Sequence, residues 1–359
     1  MTADFENPYG SLFRDILIRA KEQRASDIHI QPERDGVQIR FRINGELVPF
    51  KWISEVHKVT FLQEAKRLSH CSIGISGRAQ DARFSIPDLS LDIRVNLVPS
   101  LFGEKLVFRL LDQTRQFQLS AIGLESSAKS AIETALNCGD GVCLITGPTG
   151  SGKTTLLYSA LEALDRQAMN IVTIEDPVEY TFPGITQVQI SPRLSFADSL
   201  RAMLRQDPDV ILVGEVRDRE TAELCFQAAS TGHLVLSTLH ANNAREVVRR
   251  LQGLGVESDA INSCLRFSSA QRLLPKLCSH CSKSVTDSAL PPLSDTPTVY
   301  RKRSEGCSRC ERGLVGMVPV LEHIDWSSSG TARESITLRD LALEKAAKGE
   351  VDVYDAIAI

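Results

Sequence analysis

Eight residues, Gly147, Pro148, Thr149, Gly150, Ser151, Gly152, Lys153 and Thr154, read G-P-T-G-S-G-K-T. This is the spacing of a loop that wraps an anion. The glycines let main-chain N–H groups curl around a phosphate chain, and a following helix adds the partial positive charge of its first turn. In such a loop Lys153 reaches the β- and γ-phosphates of ATP, and the Thr154 hydroxyl holds Mg²⁺. Thr155, next in line, completes the nucleotide-binding set. A glycine-rich turn without a ligand would not need the Lys-Thr pair. Gly141 to Thr146 is a short apolar run of strand character, and Thr155 to Leu161 has helical amphipathic spacing, so strand, loop and helix follow in the required order.

A second set of residues suits a metal. Cys278, Cys281, Cys307 and Cys310 form two C-x-x-C pairs, which fit a closed, structural Cys₄ site for Zn²⁺ with Zn–S near ~2.3 Å. Unrelated thiols or a redox pair are the alternatives, and two pairs in one segment of a cytoplasmic chain favour zinc. The other cysteines, Cys71, Cys138, Cys143, Cys225 and Cys264, lie in apolar surroundings and read as buried thiols acting as small hydrophobes.

These residues need elements to position them. After the linker-like stretch 113–125 and a helix over Ser126–Leu136, strands and helices alternate, the sign of a parallel sheet. Ile171 to Ile174 runs into Glu175-Asp176-Pro177-Val178-Glu179-Tyr180. Val210 to Gly214 runs into Glu215-Val216-Arg217-Asp218. His233 to Thr238 ends at Leu239-His240. The spacing predicts helices over Pro192–Gln206 and Arg219–Ser230. Polar residues at several strand ends argue for one assembled site at the edge where α/β sheets bind ligands.

The first part of the chain reads differently. Ser11–Gln23 has helical spacing, and Val56–Ser69 reads as a second helix. Ala25–Ile30, Val37–Ile43 and Glu46–Val48 alternate as strands, with Asn44-Gly45 as a hairpin turn. Arg83–Ile86, Ser90–Leu97 and Lys105–Leu111 are further strand candidates, so this part reads as a small α+β domain with an antiparallel sheet. Arg40, Arg42, Arg83, Arg94 and Arg109 recur on its strands. They are either a solvated face or side chains aimed at phosphates bound elsewhere, for which guanidinium geometry is suited.

Composition sets the outer limits. The chain has 359 residues, 42% hydrophobic, with a net charge of −4. That length suggests two domains, and that charge gives no general field for nucleic acid. No apolar run reaches membrane-spanning length, and the polar, acid-bearing stretch Met1–Gly10 is unlike a signal peptide. A cytoplasmic protein without a membrane span is expected.

G-P-T-G-S-G-K-T, T-I-E-D-P-V-E-Y, L-R-Q-D-P-D-V-I-L-V-G-E-V-R-D and T-G-H-L-V-L-S-T-L-H, in this order, resemble the Walker A, Asp box, Walker B and His box of the secretion ATPases of type II secretion and type IV pilus assembly. A-S-D-I-H-I-Q-P, R-F-R-I-N-G and G-E-K-L-V-F-R-L-L-D resemble that family's second N-terminal domain. The likeness runs from about Arg24 onward. It implies a RecA-like α/β P-loop ATPase domain preceded by a small PAS-like α+β domain, with a C-terminal zinc knuckle and helices. The boundaries it suggests are an extension over 1–23, a small domain over 24–112, a linker over 113–125 and an ATPase domain over 126–359, with the knuckle in 278–310.

The resemblance also implies roles. Glu215 would act on Mg²⁺ through water, and Glu179 would orient or deprotonate the attacking water. Asp176 would hold its strand end in shape, with Glu175 a second acid nearby. His233 and His240 would sense the γ-phosphate or a protomer boundary, and Arg94, with Arg83, would be presented to nucleotide as two domains close. It implies a homo-hexameric ring, peripheral to the inner membrane through a platform protein, that couples ATP hydrolysis to movement of pilin-like subunits. A DNA-transfer or competence ATPase of similar build and a pilus-retraction ATPase are the alternatives, and the tetracysteine element tilts the reading toward assembly. Two departures stand out. Ala241-Asn242-Asn243-Ala244 replaces the family's T-N-D-A, and only about two dozen residues precede the Ser26-Asp27 motif. Gly313 to Val318 also differs from the family's arginine- and tyrosine-bearing stretch. Ser284–Val299 reads as a mobile loop, and Leu338–Lys348 as a terminal helix.

Overall fold

The computed structural model describes residues 7–286, 298–326, 333–334 and 336–359. They fall into two compact units, Met1–Gln116 and Phe117–Ile359. The first unit runs α1 (Pro8–Glu22), β1 (Asp27–Glu33), β2 (Gly36–Ile43), β3 (Glu46–Ser54), α2 (Glu55–Leu68), β4 (Gln80–Ile86), β5 (Leu91–Ser100) and β6 (Gly103–Asp112). Its six strands form one antiparallel sheet in the order β3-β2-β1-β6-β5-β4. Period-two alternation decides which face is buried. Val37, Ile39, Phe41 and Ile43 point into the core, with Gln38, Arg40 and Arg42 between them. Asn44 and Gly45 turn with φ of 50° and 84°, the left-handed pair that a tight hairpin requires.

Helix α1 starts where the Asn7 side chain accepts hydrogen bonds from the N–H groups of Tyr9 and Gly10. Its Phe13, Ile16, Leu17 and Ala20 enter the core of the first unit, and Phe13 meets Phe108 edge-on at 5.3 Å between centroids. The helix read as an extension is thus an integral part of this unit. The five strand arginines sit at non-core positions. Arg42, Asp27, Arg109, Arg94 and Arg83 lie in register across β2, β1, β6, β5 and β4.

The second unit runs α3 (Ser126–Asn137), β7 (Gly141–Thr146), α4 (Lys153–Glu162), β8 (Ile171–Glu175), β9 (Thr186–Gln189), α5 (Phe196–Met203), β10 (Val210–Val213), α6 (Arg219–Ser230), β11 (Leu234–Leu239), α7 (Glu246–Gly253), α8 (Ser258–Cys264), β12 (Leu265–Leu277), β13 (Lys283–Thr286), β14 (Thr298–Arg301), β15 (Leu314–Asp325), β16 (Arg333–Glu334), α9 (Leu338–Ala347) and α10 (Val353–Ile357). Eight strands make one sheet, β16-β15-β12-β7-β11-β10-β8-β9. From β12 to β9 all neighbours are parallel, and β15 and β16 extend the sheet antiparallel. Successive side chains of β7 face opposite layers. Val142 and Leu144 pack with residues of α5, α6, α7 and α8, while Cys143 and Ile145 face Ile132, Leu136 and Leu156 of α3 and α4.

Several readings change here. Helix α5 begins only at Phe196, because Ser195 caps it by accepting from the Asp198 N–H at 3.1 Å. Within the expected linker, Phe117 is buried against Tyr158 and Tyr180, at 5.3 and 4.8 Å between centroids. The ends of the expected loop Ser284–Val299 pair as the hairpin β13–β14, and its middle, 287–297, lies outside the described residues. Gly313–Val318 is mostly the start of β15. Cys138 is exposed at the end of α3, unlike Cys71, Cys143, Cys225 and Cys264. Burial pushes the Cys143 and Cys225 thiols up to about 12, so both stay protonated and inert.

Candidate active site

The parallel strands β7, β11, β10 and β8 are neighbours, so their C-terminal ends lie along one edge of the sheet. Each delivers polar residues there. From β7 the chain enters the glycine loop, with φ of 146° at Gly147, 79° at Gly150 and 88° at Gly152. Gly152 caps α4, and Lys153 and Thr154 are its first residues. Gly147 and Ser151 are buried, Pro148, Thr149 and Gly150 are exposed, and Lys153, Thr154 and Thr155 are half-buried. The Lys153 ammonium donates to the carbonyls of Gly147 at 2.8 Å and Pro148 at 2.9 Å. Burial holds its pKa below the ordinary lysine range, with Glu215 opposing and Arg272 adding to the shift.

Glu215 follows β10. The Gly214 N–H donates to the Ile174 carbonyl at 2.8 Å and the Val216 N–H to the Thr238 carbonyl at 2.9 Å. These two bonds clamp the segment between β8 and β11. The Glu215 carboxylate is 16% exposed and meets Arg217 at 2.6 Å and His240 Nε2 at 3.8 Å. His240 follows β11 and, with Gly147, Pro148, Asn242, Arg250 and Arg272, lines a cleft of about 530 Å³. Asn243, where the family pattern has an acid, still offers the acceptor that the turn uses, taking the Glu246 N–H at 2.9 Å.

β8 contributes the remaining acids, and they divide by environment. Glu175 is buried at 5% exposure and is held by the Tyr158 hydroxyl, by the Thr173 hydroxyl at 2.6 Å and by Gln187 Nε2 at 3.2 Å. Burial, with the Glu175 carboxylate beside it, drives the Tyr158 hydroxyl far above the usual phenol range, so it remains a donor. Asp176 is exposed, and Glu179 is half-buried between buried Val178 and Tyr180. The Glu179 N–H donates to the Tyr158 hydroxyl at 3.4 Å. Tyr158 therefore links the loop helix α4 to the segment carrying Glu179.

Not every expected residue joins this edge. His233 precedes β11, and its carbonyl accepts from the N–H of Gly141 at the start of β7. It stands at the opposite end of the strand from His240, about 20 Å away for a strand of this length. Its Nδ1 bonds the Ala228 carbonyl at 2.8 Å, which is a helix-terminating role. His233 therefore lies away from the edge that His240 shares with Glu215. Arg83 and Arg94 belong to the first unit, opposite one another in register, and Arg83 pairs with Asp92 at 3.0 Å. Gln271, Arg272 and Tyr158 are residues at the site that motif reading passed over. Their signal in the sequence is a polar group inside an otherwise apolar stretch.

The four knuckle cysteines do converge. Their sulphurs all lie within 4.8 Å of one another, at 3.8 Å for Cys278–Cys307 and 3.6 Å for both Cys281–Cys310 and Cys307–Cys310. Four thiolates around one tetrahedral ion at ~2.3 Å would be about 3.8 Å apart, so the donor set fits zinc. Among the described residues, no helix is long and apolar enough to cross a membrane.

Comparison with known proteins agrees with this geometry. The family described as Type II/IV secretion system protein matches residues 3–351. The protein transport protein HofB homolog of Escherichia coli is 41% identical over 321 residues, covering 88% of this chain and 70% of that protein. The type IV pilus assembly ATPase PilB of Myxococcus xanthus is 42% identical over 333 residues, 88% of this chain and 58% of that protein. The putative type II secretion system protein E of Escherichia coli is 43% identical, with 58% of its length spanned. Among solved structures, the Legionella pneumophila ATPase DotB has a TM-score of 0.70 at 23% identity, covering 96% of this chain and 94% of that one. The pilus retraction motor PilT with bound ADP has a TM-score of 0.63 at 24% identity, covering 96% and 95%. At these identities the two structures show the shared fold.

Proposed function

The chain belongs to the type II/IV secretion system protein family, and from that premise we propose that it is a Mg²⁺-dependent ATPase driving assembly of pilin-like subunits in a type II secretion or type IV pilus machine. The observation that carries the reading is the shared edge. The phosphate loop, Glu215 and His240 meet where β7, β10 and β11 end, and Glu179 follows β8 on the same edge.

Each residue has a task in this reading. Gly147 to Gly152 present main-chain N–H groups to the phosphates, and Lys153 exchanges two loop carbonyls for β- and γ-phosphate oxygens. Thr154 and, through water, Glu215 are the oxygen donors that would hold magnesium, which would neutralise negative charge on the phosphates. Glu179 orients the attacking water and takes its proton, Asp176 shapes the strand end, and Thr155 supports the helix start. His240, within reach of Glu215, reports the state of the γ-phosphate. Arg94 and Arg83 neutralise charge on the transferring phosphoryl group, a service worth roughly 10³–10⁵ in rate in other NTPases. Cys278, Cys281, Cys307 and Cys310 would hold Zn²⁺, tying the segment after β12 to the segment before β15. A homo-hexamer, peripheral to the inner membrane through a platform protein, completes the proposal.

The names of the 42–43% identical relatives, in pilus assembly and type II secretion, and the tetracysteine cluster favour assembly over retraction or DNA transfer. The test is genetic. Deleting the gene should abolish surface pili or secretion of a type II substrate, and a Lys153→Ala allele should fail to restore it. Intact pili and secretion in the deletion strain, with DNA uptake lost instead, would contradict the assembly role.

A further inference from the structure

Beneath the phosphate loop lies a side chain from a strand that no motif marks. Gln271 lies on β12, one position past the Ala270–Thr146 pair that ends the β12–β7 ladder. It is 3% exposed, and its Nε2 donates to the Ser151 carbonyl at 2.7 Å. Only the amide nitrogen can face a carbonyl, so this contact fixes which way the carboxamide points. The backbone is fitted to it as well. A Cβ on Gly152 would lie 2.6 Å from Gln271 Nε2, and one on Gly147 would lie 2.5 Å from the Gln271 carbonyl. Gln271 thus leaves no room for a side chain at either glycine. The strand is pinned beside them where Thr146 Oγ1 donates to the Ser269 carbonyl at 2.9 Å.

We propose that Gln271 is a positioning residue for nucleotide binding: by holding the Ser151 carbonyl it sets the peptide plane that aims the Gly152 N–H into the phosphate loop. The argument is geometric. A trans peptide is planar, and its C=O and N–H point in opposite directions. Anchoring the Ser151 oxygen below the loop therefore turns the Gly152 N–H upward, toward the concave side. Gly152, at φ 88°, has the freedom to let that plane flip if the anchor is lost. A flipped plane would present a carbonyl oxygen to a phosphate and lose a donor at once. Gln271 never touches the nucleotide in this account. It works through the loop and rests on the ATP-binding reading given above.

The test uses Gln271→Met, which keeps volume and removes the donor, and Gln271→Glu, which donates only when protonated. Mg-ATP affinity of the full-length protein is measured with a fluorescent nucleotide, alongside the thermal midpoint of the nucleotide-free protein. Gln271→Met should weaken nucleotide binding about tenfold, the scale of one hydrogen bond to phosphate lost from the loop, and should also lower the midpoint of the nucleotide-free protein by several degrees, because the buried Ser151 carbonyl loses its donor. Gln271→Glu should bind weakly near pH 8 and recover toward wild type as pH falls to about 6, where a buried carboxyl takes up its proton. A residue that merely fills space would give no such pH response. Wild-type affinity in Gln271→Met, or a flat pH response in Gln271→Glu, overturns the inference. If Gln271→Met fails to fold, the pH response of Gln271→Glu alone decides. Absence of nucleotide binding by the wild type is a different result and overturns the ATPase reading itself.

Discussion

At the scale of single residues, the chemistry turns on what burial does to charge. Lys153 is held below its ordinary pKa by desolvation, and Arg272 adds to the effect. A lysine so placed loses its proton earlier as pH rises, so phosphate affinity should fall on the alkaline side before the usual lysine range is reached. A bound triphosphate favours the ammonium, so binding in that window should take up a proton. Calorimetric titration in two buffers of different ionisation enthalpy measures this directly. Lys153→Arg should bind without the uptake, because a guanidinium stays charged. No uptake by the wild type would mean that Lys153 does not face the phosphates. Residue type and local spacing made the loop legible, since its strand, turn and helix are contiguous. The same local view could not place His233. Both histidines flank one strand, and only the direction of β11 in the sheet separates His240, beside Glu215, from His233, at the far end.

Elements explain what else was hidden. Strand β12 is buried on both faces over Phe267–Gln271, so it shows no alternation to read. β9 is four residues, T-Q-V-Q, at the edge of the sheet. Neither carries a motif, yet β12 supplies the floor of the loop. Cys278 follows the strand directly, and its N–H donates to the Gly313 carbonyl at 2.8 Å beside the start of β15. The cysteine pairs were readable because ligand type and spacing are local, whereas the strands that bring the pairs together are not. The purified protein should contain one zinc per chain by elemental analysis. Chelation or Cys278→Ser should lower the thermal midpoint of the second unit, and metal-free protein of unchanged stability would contradict a structural zinc. A parallel argument concerns α4. Tyr158 joins it to buried Glu175 and to the N–H of Glu179. Tyr158→Phe leaves Glu175 with two donors in place of three, which should cost about 1–3 kcal/mol and appear as a midpoint several degrees lower. Calorimetry showing no change would mean that the network adds nothing to stability.

For the molecule as a whole, the division into an antiparallel α+β unit and a parallel α/β unit was visible in the change of hydrophobic period along the chain. The membership of α1 was not, because a helix with one apolar stripe can pack on either neighbour or on a partner, and Phe13 meeting Phe108 decides it only in three dimensions. The central claim is that residues far apart in sequence converge on one triphosphate and its magnesium. Phosphate release from Mg-ATP by the purified protein, compared with Lys153→Ala and Glu215→Gln at equal stability, tests it most directly. The account predicts magnesium-dependent turnover by the wild type and background release by both variants. A folded, metal-loaded wild type that releases no phosphate, or a variant that keeps near-wild-type turnover, would contradict it.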